Sequence, residues 1–213
     1  MLIKICDDLY GILWDDYSQN NCNTYLITGA QNIIIDPGHR HLVQHVHKAL
    51  ANLRISPEDI SVVIATHGHP DHYEAARSFG RGTQFGMGVN EYAIVSASGY
   101  VAIPQPDFFI QPGELILGDV DFTVMETPGH SPASICLYHT ATKALFSGDV
   151  VFENGIGRSD LPGGDGAALK QSILRLAALN AAYLLSGHGT VVAGQDAVAA
   201  NFRTVEEYWF RYI

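Results

Sequence analysis

The sequence predicts an α/β fold: an αββα sandwich of two mixed β-sheets flanked by helices, in a single domain spanning residues 1–213. Three observations point there. A length of 213 residues suits one sizeable core. Strand-like and helical runs follow one another as β-rich, α, β, α, and the same kind of order then returns, as two sheets with outer helices would require. Hydrophobic residues make up 47% of the chain and charged residues 16%, which fits a packed globular protein and not a disordered one.

Residues 9–14, 24–28 and 32–36 read as short strands bounded by turns. Asp36-Pro37-Gly38 breaks the third of them. Leu42, Val46, Ala49, Leu50 and Leu53 recur at helical spacing, so 41–53 is predicted to be a helix. Residues 61–66 form an apolar run of the buried-strand type. A helix is expected over 71–79, with Pro70 suited to its first turn. Strands are then predicted at 115–117, 122–126, 135–138 and 144–147. A helix over 167–179, a short strand over 183–185 and a terminal helix over 195–212 complete the chain. Residues 92–110 are rich in apolar side chains, with Gly99, Pro104 and Pro106. They suit core packing first, and otherwise an apolar pocket or an oligomer contact.

The formal net charge is −10. A uniformly acidic chain argues against nucleic acid and against an anionic membrane surface, because phosphate binding needs clustered Lys and Arg. Cys6, Cys22 and Cys136 are scattered, odd in number and without a CxxC pair, as expected of reduced thiols in a cytoplasm. The first eight residues carry one Lys followed by two Asp, and no long apolar stretch follows. Neither a signal peptide nor a transmembrane helix is expected, and the expected location is cytoplasmic.

The compositional anomaly is ten histidines. Four potential ligands crowd into Thr66-His67-Gly68-His69-Pro70-Asp71-His72, directly after a predicted strand. In an extended segment, two-residue spacing points His67 and His69 the same way. Asp71 and His72 then turn into the helix and can face a neighbouring position, so the motif offers two ligands to each of two adjacent sites. Three further residues stand beside glycines at predicted strand ends: His130 in Thr-Pro-Gly-His-Ser, Asp149 in Phe-Ser-Gly-Asp and His188 in Ser-Gly-His-Gly. Strand ends that feed Gly-rich loops are where site residues are commonly displayed. Imidazoles and carboxylates suit Zn, Fe or Mn. His39, His41, His45, His47 and His139 are read as solvated.

In these residues the chain resembles the metallo-β-lactamase superfamily. His67, His69, Asp71, His72, His130, Asp149 and His188 match that family's metal-ligand pattern. The loop Asn154-Gly155-Ile156-Gly157-Arg158-Ser159-Asp160-Leu161-Pro162-Gly163-Gly164-Asp165 looks like that of small glyoxalase II-like (hydroxyacylglutathione hydrolase-like) members. Residues 23–27 and 35–38 fit the family's opening strands. The resemblance implies the metallo-β-lactamase fold and two divalent metal ions, Zn first and Fe or Mn otherwise. His67, His69 and His130 would hold the first, Asp71, His72 and His188 the second, and Asp149 would bridge them. It also makes Asp71 and Asp149 the candidate catalytic carboxylates. His69 stands where the flavodiiron branch carries Glu, and the acidic chain counts against the tRNA-processing branch. Full-length glyoxalase II continues into a helical region that helps hold glutathione, whereas about one helix follows His188-Gly189-Thr190 here.

The expected function is metal-dependent hydrolysis of a small-molecule thioester of the hydroxyacylglutathione type. Two cations would lower the pKa of a shared water toward ~7 and polarise the acyl carbonyl. A thiolate with a pKa of about 8.5 can leave without a strong general acid, which ranks thioesters above amides such as β-lactams. The alternative is a mononuclear iron persulfide dioxygenase using His67, His130 and Asp149 as a two-His, one-carboxylate triad. A non-catalytic metal-binding domain would show a broken ligand set, and none of the seven positions is broken. For substrate binding, Arg158 can take a carboxylate bidentately or make a loop-anchoring salt bridge. Tyr138 and Lys143 flank a predicted hairpin turn at 140–142, where a Lys is otherwise simply solvated. Asp36 either orients a ligand His from behind or stabilises its own turn.

Overall fold

Seven strands that follow one another in chain order build the first sheet of the computed structural model, which describes residues 1–99 and 103–213. β1 (Leu2–Cys6), β2 (Leu9–Ile12), β3 (Thr24–Ile27) and β4 (Asn32–Ile35) form an antiparallel meander. β5 (Ile60–Ala65), β6 (Gln84–Gly88) and β7 (Phe108–Ile110) join it in parallel. Parallel neighbours need crossover connections. α1 (Gln44–Asn52), α2 (Pro70–Tyr73) and α3 (Val89–Ser98) lie in those three connections. The central strands are buried along their whole apolar run, Ile33 to Ile35 and Val63 to Ala65, as strands covered on both faces must be. Leu26, Ile34, Val46, Leu50, Val63 and Phe85 lie at the heart of this core. The compact unit so formed comprises residues 1–110 and 116–120.

The second unit, residues 111–115 and 121–213, has its own sheet and core. Its strands are β8 (Gly113–Leu117), β9 (Val120–Glu126), β10 (Ile135–His139), β11 (Ala144–Gly148), β14 (Tyr183–Ser186) and β15 (Val192–Ala193), in the order β15-β14-β11-β10-β9-β8. β12 (Val151–Phe152) and β13 (Gly155–Ile156) pair as a separate ribbon. β9, β10 and β11 are antiparallel neighbours, and β14 runs parallel to β11. α4 (Gly166–Ala177) supplies that crossover. Its start is capped by Asp165, whose side chain accepts the Ala168 N–H at 2.9 Å. α4 and α5 (Gln195–Trp209) bury Leu169, Ile173, Leu176, Val198, Phe202 and Val205 with Leu145 and Leu184 of the sheet.

The predicted class, two mixed sheets with helices, is the observed one. The chain expected to form one domain over 1–213 divides into two units, each with its own sheet and core. The helix expected over 41–53 is a 3₁₀ turn (Arg40–Leu42) followed by α1, and that over 71–79 is the single turn of α2 followed by a 3₁₀ turn (Glu74–Arg77). β1, β6, β7, β12, β13, β15 and α3 were not predicted. β6 reads Gln-Phe-Gly-Met-Gly, with no β-branched residue, and becomes a strand because β5 and β7 hydrogen-bond to both its edges. Of residues 92–110, Tyr100, Val101 and Ala102 lie outside the described residues. Ile94 and Phe109 are exposed rather than packed in the core. Among the described residues no disulfide joins the cysteines, and no helix is long and apolar enough to cross a membrane.

Candidate metal centre

In the first unit the donors leave the end of β5. His69 is still extended (φ −84°, ψ 139°) before Pro70 opens α2, so His67 and His69 share a side and Asp71 and His72 follow on the first turn. His67 Nε2 and His69 Nδ1 are 3.0 Å apart. The rings of His67 and His72 are 4.1 Å apart between centroids, and His72 Nε2 is 3.9 Å from Asp71 Oδ2. His67 and His72 are fully buried.

The hydrogen bonds behind these rings decide which nitrogens face forward. Asp36, buried at the end of β4, accepts the Thr66 N–H (2.8 Å) and the Thr66 hydroxyl (2.9 Å). The Thr66 hydroxyl proton is thereby committed, so its 3.0 Å contact with His67 Nδ1 has the imidazole as donor. His72 Nδ1 lies 2.9 Å from Asp36 Oδ2 and donates to it. In the neutral ring Nε2 is then the proton-free nitrogen of each, the form in which histidine ligates metals. Asp36 thus holds the His72 ring from behind through this hydrogen bond. It does so with a left-handed backbone (φ 54°), a costly conformation for a non-glycine residue that its surrounding hydrogen bonds hold in place.

The second unit brings its three donors to one end of its sheet. His130 precedes β10, Asp149 follows β11, and His188 follows β14. Because β10 is antiparallel to β11 and β14 is parallel to it, the start of β10 coincides with the ends of the other two. His130 Nε2 and His188 Nε2 lie 3.5 Å and 3.4 Å from the same Asp149 oxygen, Oδ2. His130 Nδ1 is 2.8 Å from the Arg158 carbonyl, which can only accept, so Nδ1 carries a proton and in the neutral ring Nε2 is the nitrogen without one. An imidazole nitrogen and a carboxylate oxygen at this distance share either a proton or a cation. This donor set fits a divalent ion. A Cβ at Gly157 would lie 1.7 Å from the Asp149 carbonyl oxygen, so only glycine lets this loop lie against Asp149.

The three expected substrate-binding residues are placed differently. Tyr138 and Lys143 flank the turn between β10 and β11, at the opposite end of that hairpin from His130 and Asp149, roughly 17 Å away for five strand residues. The structure does not bring them to the donors, and Lys143 is exposed. Arg158 is exposed and binds Asp160 through two hydrogen bonds (2.9 and 2.8 Å), a pairing that raises the Arg158 pKa and lowers that of Asp160. The loop-anchoring alternative is the one observed. Its main-chain carbonyl, not its guanidinium, reaches the donor set.

Four contributors were missed because nothing local marks them. Thr66 is identified only by its partners. Asn20 lies 51 residues from Asp71 and donates to its Oδ2 at 2.9 Å. The fully buried Glu91 of α3 accepts the Gly68 N–H at 2.9 Å. The Arg158 carbonyl is a main-chain atom. The histidines read as solvated need correction too. His139 is buried, because it ends β10 against Phe122. His39, His45 and His47 are half-buried, and only His41 is exposed.

Comparison with known proteins places this arrangement in a family. The model of the metallo-beta-lactamase superfamily matches residues 17–188. The chain belongs to the metallo-beta-lactamase superfamily. It is 32% identical over 199 residues to the hydroxyacylglutathione hydrolase GloC of Haemophilus influenzae, covering 84% of this chain and 90% of that one. It is also 32% identical to the human acyl-coenzyme A thioesterase MBLAC2, over 68% of this chain and 65% of that one. Among solved structures, the metallo-beta-lactamase family protein TTHA1429 from Thermus thermophilus superposes with a TM-score of 0.78 at 22% identity, covering 96% of this chain and 80% of that one. The protein is thus a metallo-beta-lactamase superfamily hydrolase, and its His and Asp groups could hold divalent metal.

Proposed function

We propose that this protein hydrolyses a small-molecule thioester of the hydroxyacylglutathione type. Two divalent ions, zinc first, would be held by His67, His69, Asp71, His72, His130, Asp149 and His188. The observation that carries the reading is the hydrogen bond at Nδ1 of His67, His72 and His130, which leaves Nε2 as the ligand nitrogen of each neutral ring. The two thioester-hydrolysing relatives supply the substrate class.

Ions bound there would supply Lewis acidity and would lower the pKa of a water to about 7. The chain's own residues do the rest. Asp36 and Thr66 hold the Nδ1–H of His72 and His67, so in their neutral form these rings present Nε2 to an ion. Asp149 offers one oxygen to two imidazoles and suits a bridging role. Asn20 fixes the rotamer of Asp71 through Oδ2. A thiolate leaving group needs no strong general acid, since its pKa of about 8.5 lets it depart as the anion.

The test is metal content per chain on protein purified without added metal, followed by S-lactoylglutathione turnover with oxygen uptake recorded in parallel. At least two ions per chain, thioester cleavage and no oxygen uptake are expected. One iron, with oxygen consumed when glutathione persulfide is supplied, would overturn the reading in favour of a dioxygenase using His67, His130 and Asp149.

A further inference from the structure

A second group of potential ligands lies outside the seven residues. His39, His41 and Glu74 are all in the first unit, and one donor atom from each lies within 4.8 Å of the other two. His39 Nδ1 is 2.8 Å from Glu74 Oε2. The His39 and His41 rings are 5.1 Å apart and inclined at 44°, so they are not a stacked pair. The hydrogen bond joins His39 to Glu74, and His41 lies beside the pair.

The backbone beneath them is fixed without help from the rings. The His39 N–H donates to the buried side chain of Asn21 at 2.8 Å. The preceding carbonyl, of Gly38, accepts the N–H of Ala75, the residue after Glu74, at 2.9 Å. This bond ties the segment carrying both histidines to the one carrying the carboxylate. The Leu42 N–H returns to the His39 carbonyl at 3.1 Å and closes the 3₁₀ turn that presents His41. The three side chains are therefore gathered by the fold and not by chance rotamers.

We propose that His39, His41 and Glu74 form a separate binding site for one divalent ion of the zinc, copper or nickel class. Two imidazoles and a carboxylate match the preferences of these ions, whereas magnesium and calcium prefer all-oxygen sets. With ligand bonds of about 2.0–2.2 Å, tetrahedral donors stand roughly 3.3–3.6 Å apart. A small torsion of the half-buried Glu74 would open its 2.8 Å hydrogen bond with His39 to that distance, and one of the exposed His41 would bring its ring in. Three protein ligands leave one position open, the pattern of an exchangeable or reactive site rather than a closed structural one. His41 and Glu74 also line a groove of about 880 Å³ with Arg40, Tyr73, Arg77 and Ile103. Nearby Arg40 weakens the attraction for a cation. Arg77 does so less, since Asp107 engages it at 2.6 Å. The site is accordingly weaker than the seven-residue centre.

The proposal is independent of the thioesterase reading. The experiment is titration of the full chain with Zn²⁺ alone, following bound zinc per chain by elemental analysis after gel filtration. Wild type, His41→Ala, Glu74→Gln and Asp149→Asn are compared. Wild type should bind one ion more than His41→Ala or Glu74→Gln, with thermal midpoint and turnover unchanged in both. Asp149→Asn should keep the additional ion while losing zinc elsewhere. Cu²⁺ bound at the additional site should show nitrogen hyperfine coupling that His39→Ala reduces. Equal zinc content in wild type, His41→Ala and Glu74→Gln would overturn the proposal.

Discussion

His72 Nδ1 lies 2.9 Å from Asp36 Oδ2, and the same carboxylate accepts both the N–H and the hydroxyl of Thr66, the residue before His67. One buried carboxylate thus holds two histidines of the candidate donor set, the first directly and the second through a hydroxyl. Asn at position 36 would turn an NH₂ toward one of these donors. Asp36→Asn should therefore weaken zinc binding about 10- to 100-fold while the fold persists. A chelator competition series reads this directly. An unchanged zinc affinity would mean that His72 Nε2 is not a ligand.

Asp149→Asn tests the proposed bridge. The amide keeps the shape and removes the charge that His130 Nε2 and His188 Nε2 both approach. Second-ion occupancy and most thioester turnover should be lost, with the far-ultraviolet circular dichroism unaltered. Metal content equal to that of wild type would remove Asp149 from the ligand set.

The loop between His67 and His69 leans on α3. A Cβ at Gly68 would come within 2.8 Å of Val95 Cγ2, and the Gly68 N–H is held by the buried Glu91. Gly68→Ala should cost about 1–3 kcal/mol of stability and reduce metal affinity. Adding Val95→Ala should restore much of both. Urea unfolding of the two single variants and the double variant gives the coupling, and additivity within ~0.5 kcal/mol would show that the two side chains never meet.

His45 makes acid stability sensitive to one imidazole. Its Nδ1 lies 2.7 Å from the Leu42 carbonyl and carries the proton, while Nε2 is buried with no hydrogen-bond partner beside the edge-on ring of Trp14. Burial lowers the His45 pKa below its ordinary 6.5. The folded state thus favours the neutral ring. This contribution is complete above pH 6.5 and declines as pH falls from there through the lowered folded value. Between about pH 7.5 and 5.5 the urea midpoint of wild type should fall more than that of His45→Phe. Equal slopes would show that the ring gains its proton as readily in the fold as in the unfolded chain.

The class of fold was legible in the sequence, which also nominated the candidate donors. The apolar runs at 32–36 and 61–66 and the helical spacing of Val46, Ala49 and Leu50 are local patterns, and local patterns carry burial. Four potential ligands within six residues point to metal chemistry before any fold is known. What stands behind each of them depends on the tertiary structure. Asp36 is 36 residues from His72 and 30 from Thr66, Glu91 is 23 from Gly68, and the Arg158 carbonyl is 28 from His130. Hydrogen bonds across such separations leave no period or spacing in the chain, because strand pairing and crossovers create the neighbours. The same reason separates Lys143 from Asp149. They are close in sequence, but one extended strand lies between them and carries them to opposite ends of a hairpin.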